Sequence, residues 1–404
     1  MAPYETDDST DTGEADELRS GRRRAARYIV PVTVVGVAAA TIGLVPALAD
    51  SGDPNLPKIT AQQLLDKVAK SDVQQLSGTV KISTDLGLPD LGGLESSMLS
   101  GATKSGDGSS ADPTAKLTEL ATGTHTLRVA ADGPDKQKVS LLENAAEYSL
   151  IHNGKDVWGY DSQSNEVFHG TTSADTSKSD ETRATPKGLT DEALKSVDDT
   201  TSVTVDGTEH VAGRDAYKLL IKPKQSGTTV GAISIAVDAK TGLPLKFTLT
   251  PASGGAAVVD VGFTQLSLAK PAASTFDFKT PKGAKVTTED SADATKTAPD
   301  HSSKSGKSED DLGKGLADPT VLGKGWNSIA VLDTGGKGIP TGSSSGGGDL
   351  GGFLSSLGDQ VKGSFGSGTV YSTRLINALV TDNGKVYVGA VTKSALVKAA
   401  DAAK

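Results

Sequence analysis

The chain has 404 residues, with 41 Lys and Arg against 50 Asp and Glu, a formal net charge of −9, no Cys, 47 Gly and 4% aromatic residues. The acidic balance, without a basic stripe in the body of the chain, argues against nucleic acid. The missing Cys excludes disulfides, thiolate metal sites, a lipid-modified Cys and a Cys nucleophile. The length allows two or three domains, and the glycine content assigns much of it to turns and loops.

Residues 1–20 carry seven acids and few apolar side chains, which is the composition of a segment that does not fold alone. Arg19, Arg22, Arg23, Arg24 and Arg27 follow, and Tyr28–Ala49 then holds no charged residue. Those uncharged residues, rising ~1.5 Å each, reach about 33 Å as a helix, enough to cross a bilayer core. The arginines hold the N-terminal side in the cytoplasm. Ala47-Leu48-Ala49 before Asp50 fits a small-residue cleavage site. Removal as a signal peptide and retention as an anchor both stay open, and both place Asp50 onward outside the cytoplasm.

The exported part begins with a helix expected over Thr60–Ser71. Thr60 caps it, Gln63 completes a capping box, and Leu64, Leu65 and Val68 form its apolar stripe. A strand, Ser77–Thr84, follows. Asp85–Ala115 interrupts the pattern with Leu86, Leu88, Leu91, Leu94, Met98 and Leu99 scattered among Gly, Ser and Pro. It reads as an ordinary insertion or as a lid with a lipophilic underside.

Alternation with period two then dominates. Tyr148–Gly170 is an expected meander of three short strands, with Asn153-Gly154 as a type I′ hairpin signal and Asp161–Asn165 as the second reversal. Leu127 and Val129, Val139 and Leu141, Tyr148 and Leu150, and later Phe247 and Leu249, Val261 and Phe263, each share a face, opposite residues such as Arg128, Lys138, Lys246 and Asp260. This predicts one large antiparallel sheet with an apolar and a solvated face. A short helix, Asp191–Val197 capped by Thr190, interrupts the strands. Two helices cannot cover so wide a flat sheet, so it must curl as a half-open barrel. Thr287–Asp311 lacks Leu, Ile, Val, Met and aromatic residues and is expected to be a tether. Beyond it, a strand over Trp326–Leu332, a Gly/Ser loop over Asp333–Gly348, a helix over Leu350–Lys362, strands Gly368–Asp382 and Lys385–Thr392 around Asn383-Gly384, and a helix over Ser394–Ala403 make a small α+β unit.

No catalytic or metal motif emerges. The histidines His125, His152, His169, His210 and His301 have no ligand spacing, and no nucleophile elbow, phosphate loop or dinucleotide fingerprint follows a strand. No catalytic residue, metal ligand or cofactor is therefore expected. Trp158 and Tyr160, two apart on one strand, are the aromatic candidates for ligand contact.

Three blocks in order carry a family resemblance: Ile151–Val167 (IHNGKDVWGYDSQSNEV), Val211–Pro223 with Ile235–Leu249, and Phe276–Val286. Together they resemble the LolA and RseB/MucB superfamily of extracytoplasmic lipoprotein-carrier-like proteins, over roughly Leu56–Thr288. The resemblance implies a LolA-like half-open antiparallel β-barrel with lid helices, so the expected class is α+β, mainly β, with a small C-terminal α+β unit. The expected division is a cytoplasmic tail over 1–27, a signal or anchor segment over 28–49, the half-barrel over 56–288, a linker over 289–320 and the C-terminal domain over 321–404. The expected function is non-catalytic binding of a lipid, acyl chain or lipoprotein on a concave apolar face formed by Leu127, Val129, Leu141, Leu150, Trp158, Tyr160, Phe247, Leu249, Val261 and Phe263. An RseB/MucB-like envelope-stress sensor acting through a membrane-bound regulatory protein is the alternative, and an extracytoplasmic hydrolase ranks third. In the lipoprotein carrier an arginine inside the cavity holds the lid; Arg128 is not given that role, because alternation sets it opposite Leu127 and Val129.

Overall fold

The computed structural model describes residues 53–87, 111–113, 116, 120, 122–171, 185–289, 320–334 and 358–403. The acidic tail, the uncharged run Tyr28–Ala49, the leucines from Leu88 to Leu99, the part of the expected tether beyond residue 289 and most of the Gly/Ser loop lie outside the described residues. No helix among the described residues is long and apolar enough to cross a membrane.

Twelve strands form the large sheet: β1 Gln75–Thr84, β2 Gly123–Asp132, β3 Lys136–Glu143, β4 Ala146–Asn153, β5 Asp156–Asp161, β6 Glu166–Thr171, β7 Thr201–Val211, β8 Arg214–Pro223, β9 Val230–Asp238, β10 Pro244–Pro251, β11 Val259–Ser267 and β12 Lys285–Glu289. Their spatial order is β12-β6-β5-β4-β3-β2-β1-β11-β10-β9-β8-β7, open at both ends. The fold class expected from the alternation therefore holds: mainly β, curled but unclosed. One pairing departs from it. After β11 the chain returns across the sheet, and β12 pairs parallel to β6, with Lys285 beside Glu166 and Glu289 beside Gly170.

Local chemistry sets the turns and caps. The β4–β5 hairpin pairs Asn153 with Asp156, so the two central residues are Gly154 and Lys155. Gly154 has φ +69° while Asn153 stays outside the left-handed region, so a glycine-first turn replaces the expected type I′ turn. Asn153 instead donates Nδ2 to the Phe276 carbonyl at 3.3 Å. In the β5–β6 reversal, Asp161 Oδ1 accepts from Gln163 N at 2.7 Å, an Asx turn as expected.

Helix α1, Ala61–Ala69, has the Thr60/Gln63 capping box expected from the sequence. Helix α2 runs Pro186–Lys195, five residues earlier than expected. Thr185 is its cap and Pro186 its first residue, the pre-organised arrangement for a helix start. Thr190, the expected cap, is instead buried within the helix and donates Oγ1 to the Pro186 carbonyl at 2.7 Å.

A second, antiparallel sheet has the order β13-β14-β18-β17-β16-β15, from β13 Thr320–Leu322, β14 Ile329–Asp333, β15 Asp359–Gly363, β16 Gly366–Ser372, β17 Asn377–Thr381 and β18 Lys385–Gly389. Helix α3, Lys393–Ala402, lays Leu396 and Ala400 against Leu379 and Tyr387. Two sequence expectations fail here. The single strand over Gly368–Asp382 is two strands around a turn in which Ile376 N donates to Thr373 Oγ1 at 2.8 Å. The described end of the helix expected over Leu350–Lys362 is strand β15, whose Val361 pairs with Gly368. Residues four apart share a face in a strand as well as in a helix, and the neighbouring strand decided between them.

The second sheet docks on the first through backbone and side chains. Thr229 N donates to the Ala390 carbonyl at 2.9 Å and Thr392 N to the Gly227 carbonyl at 2.8 Å. Trp326 Nε1 donates to Thr201 Oγ1 at 2.9 Å, and the Arg374 guanidinium bonds both Asp85 and the Ala256 carbonyl.

Candidate functional site

Cross-strand register builds one continuous apolar face, because residues directly opposite each other in a pair point the same way. From the β8 side the row runs Leu219, Ile235, Phe247, Val261 and Ile82. A neighbouring row runs Phe263, Val80, Leu127, Leu141 and Tyr148. A third joins Val129, Val139, Leu150 and Gly159. The opposite face carries Lys218, Lys246, Lys81 and Arg128, as the alternation required.

Three segments cover this face. Leu64 and Val68 of α1 pack on Tyr217, Leu219, Ile221, Ile235 and Phe247. Helix α2 lies over β10 and β11, with Leu189 bridging both apolar clusters. At the β5 end, the chain near Ala111 crosses Gly159: a Cβ at Gly159 would stand 2.5 Å from the Ala111 carbonyl oxygen. Tyr148 Oη donates to that same oxygen at 3.1 Å. Lys116 Nζ fixes this strap to Glu143 at 2.8 Å and reaches Asp161 at 3.7 Å.

One end of the face remains open. A cavity of about 280 Å³ lies between the Ser71–Gln74 turn after α1, the β2–β3 hairpin and the start of α2. Val129, Val139, Phe263 and Leu243 line its apolar wall, while Lys138, Lys187 and Asp72 are its charged lining residues. This volume is at the lower edge of the ~300–1,000 Å³ typical of small-ligand sites.

Of the ten residues expected on a concave face, the structure brings Val129 and Phe263 to the cavity wall. Leu127, Leu141, Leu150, Phe247 and Val261 share the face with them but are buried in the two apolar clusters, and Leu249 is half-buried beside the second. Trp158 and Tyr160 are placed differently. The two-residue β4–β5 turn pairs Leu150 with Gly159, which gives the apolar face to Gly159 and Asp161 and turns Trp158 and Tyr160 to the other side. There Trp158 stacks on His169 with ring centroids 3.8 Å apart and on Phe278 at 5.1 Å. Sequence reasoning saw that the two aromatics share a face and chose the wrong one, because a one-residue change of turn register exchanges the faces. It also passed over Leu243 and Leu76, which lie in a turn and at a strand start and reach the cavity only through the fold.

The described histidines are locally engaged. His152 is buried with Nε2 2.9 Å from the Gly154 carbonyl oxygen, His169 meets Asp156 at 2.9 Å and His210 meets Asp215 at 3.0 Å. Among the described residues no three His, Asp or Glu side chains gather as a metal site.

Comparison with known proteins gives one family-model match and several solved structures of low similarity. No curated protein matches the chain. Residues 124–284, which run from β2 to the residue before β12, match the family model of the MucB/RseB N-terminal domain. Among solved structures, the chain is similar to the Pseudomonas aeruginosa MucA/MucB complex at 15% identity, over 84% of this chain and 96% of that one, with a TM-score of 0.37. It is similar to an uncharacterised conserved protein from Thermus thermophilus at 15% identity, over 57% and 99% of the two chains, with a TM-score of 0.31. A LolA superfamily protein from Nitrosomonas europaea is similar at 12% identity, over 55% and 99%, with a TM-score of 0.21. Residues 124–284, within the open twelve-stranded sheet, are therefore similar to the MucB/RseB N-terminal domain.

Proposed function

We propose that this is an extracytoplasmic, non-catalytic binding protein that takes up an acyl chain, lipid or lipidated protein at the open end of its apolar face. The observation that carries this reading is the cavity beside Val129, Val139 and Phe263, continuous with the apolar face of the sheet. Burial supplies the affinity: at ~0.8 kcal/mol per methylene, eight buried methylenes contribute about 6 kcal/mol before ordering costs. No reacting group is needed, and a polar mouth with an apolar wall suffices. The test is native mass spectrometry with lipid extraction of the purified protein, followed by titration of the delipidated protein with a fluorescent acyl probe. Copurified lipid and saturable probe binding, weakened by Phe263→Glu, are expected. A protein that carries no lipid and binds no probe would falsify this reading.

A second reading, partner binding, is favoured by the match to the MucB/RseB domain over residues 124–284. MucB itself is known in a complex with MucA. A protein partner would use the two-sheet body, and capture of a membrane-bound regulatory protein with a lipid-free protein would support this reading over the carrier.

A further inference from the structure

The seam between the two sheets holds a set of oxygens that acyl binding does not use. We propose that Asp198 Oδ2, Gln225 Oε1 and Thr200 Oγ1 form a calcium site, whose ion ties the large sheet to the loop between β13 and β14. Asp198 and Thr200 lead into β7, Gln225 follows β8, and residues 324–327 lead into β14. The three oxygens all lie within 3.2 Å of one point, the position a Cβ would take at Gly325. Glycine leaves that point open. Asp198 is exposed, and its Oδ1 accepts from Thr200 N at 2.8 Å, Thr200 Oγ1 at 2.5 Å and Thr201 Oγ1 at 3.3 Å. Its Oδ2 accepts from no other residue, and no Lys or Arg pairs with this carboxylate, among the described residues. Lys224 Nζ donates instead to the Asp199 carbonyl at 3.1 Å. The Thr200 donors hold the Asp198 carboxyl below its ordinary value of 3.8, so the group is ionised at neutral pH.

The amides point to a ligand independently of the carboxylate. Gln225 Oε1 is buried without a hydrogen-bond partner, and its orientation is fixed because Nε2 donates to the Lys324 carbonyl at 3.3 Å. Asn327 repeats the pattern in the same loop: Nδ2 donates to the Ser226 carbonyl at 3.0 Å, and Oδ1 is buried without a partner. A buried acceptor without a donor is unfavourable, and one cation satisfies several such oxygens at once. The donor types choose the ion. Carboxylate, amide and hydroxyl oxygens, with no nitrogen or sulfur, suit hard cations. Calcium takes about six to eight oxygens in flexible geometry, whereas magnesium demands a near-ideal octahedron, so oxygens converging from separate loops favour calcium. A single carboxylate sets the affinity in the weak range of about 10⁻⁴–10⁻³ M found in extracellular modules.

Terbium replaces calcium on oxygen ligands and emits when a nearby Trp is excited. The chain has two Trp, and Trp326 lies in the same loop as Gly325, its Nε1 2.9 Å from Thr201 Oγ1. Titration of the purified protein with terbium should give saturable, Trp-sensitised emission that calcium displaces and magnesium displaces about tenfold less well. Trp326→Phe should abolish the emission but keep the rise in melting temperature that calcium produces; emission that survives arises at Trp158 and overturns the assignment. Asp198→Asn should weaken calcium about tenfold, because affinity follows the charge of the ligands. Gln225→Glu, which keeps an oxygen and adds a charge, should tighten calcium about fivefold and lower the melting temperature in EDTA. A glutamine with a purely structural role would not give that pair of effects, so this variant decides even where Asp198→Asn fails to fold. If emission does not saturate, or calcium does not displace it, or Gln225→Glu binds calcium no tighter, the seam holds water and no ion.

Discussion

Asp238 shows how one side chain holds a turn of the sheet. Its Oδ1 accepts from Lys240 N at 3.0 Å and Thr241 N at 2.6 Å, closing the β9–β10 turn, and its Oδ2 meets Arg214 at 2.5 Å. Burial alone would raise this carboxyl, but the Arg214 and Thr241 donors outweigh it and hold the group below its ordinary value of 3.8. The stability it contributes is therefore fully present above about pH 4 and is lost as pH falls through the lower, folded value. Asp238→Asn should cost about 1–3 kcal/mol at neutral pH and flatten the acid limb of the stability profile. Urea midpoints measured from pH 7 down to pH 3 for both proteins decide it; parallel curves would reject the assignment. Gly159 is the second residue of this kind. A Cβ there meets the Ala111 carbonyl at 2.5 Å and Tyr148 Oη at 2.9 Å, so Gly159→Ala must move the strap or the sheet. We expect a loss of about 1–3 kcal/mol and faster proteolysis near Ala111; a variant as resistant as wild type would show that the strap does not rest on this strand.

At the scale of elements, the two helices over the apolar face begin with different clarity in the sequence. The Thr60/Gln63 box of α1 is a four-residue signal, and the structure forms both of its hydrogen bonds. For α2 the deciding pair is Thr185-Pro186, and the acids at Asp191 and Glu192 pointed five residues too far along. Thr185→Ala should therefore cost about 1 kcal/mol of stability by removing the bond to Gly188 N. Thr190→Ser, which keeps the buried hydroxyl on the Pro186 carbonyl, should cost less than that; the reverse order in thermal melts would restore Thr190 as the cap. The strands were far more legible than the helices. Val80, Leu127, Leu141, Val261 and Phe263 all fall on the side their alternation assigned, because a half-buried strand writes its burial into every second residue. Trp158 and Tyr160 show the boundary of that method. Alternation relates residues within a strand, but only the Gly154–Lys155 turn says which face continues the neighbour's.

At the scale of the molecule, the two sheets are joined by more than a connecting segment. The Thr229–Ala390 and Gly227–Thr392 backbone bonds, the Trp326–Thr201 bond and the Arg374 contacts cross between them. Gly325 sits in this seam, where a Cβ would stand 2.4 Å from Thr200 Oγ1. A protease site engineered between residues 290 and 319 should therefore yield, on cutting, two fragments that still co-elute in gel filtration. Adding Arg374→Ala and Trp326→Ala should separate them. Fragments that part immediately in the otherwise unchanged protein would mean that the seam adds little to the covalent link. By itself the sequence determined the sheet, its apolar face and the absence of catalytic motifs, since these follow from period-two burial and residue types within short windows. It determined the α1 cap for the same reason. The tertiary structure alone decided the return of β12 to β6, the strap over Gly159, the seam between the sheets and the cavity beside Val129 and Phe263. Each of those joins residues far apart in the chain, and no local periodicity records which distant backbone will lie against which face.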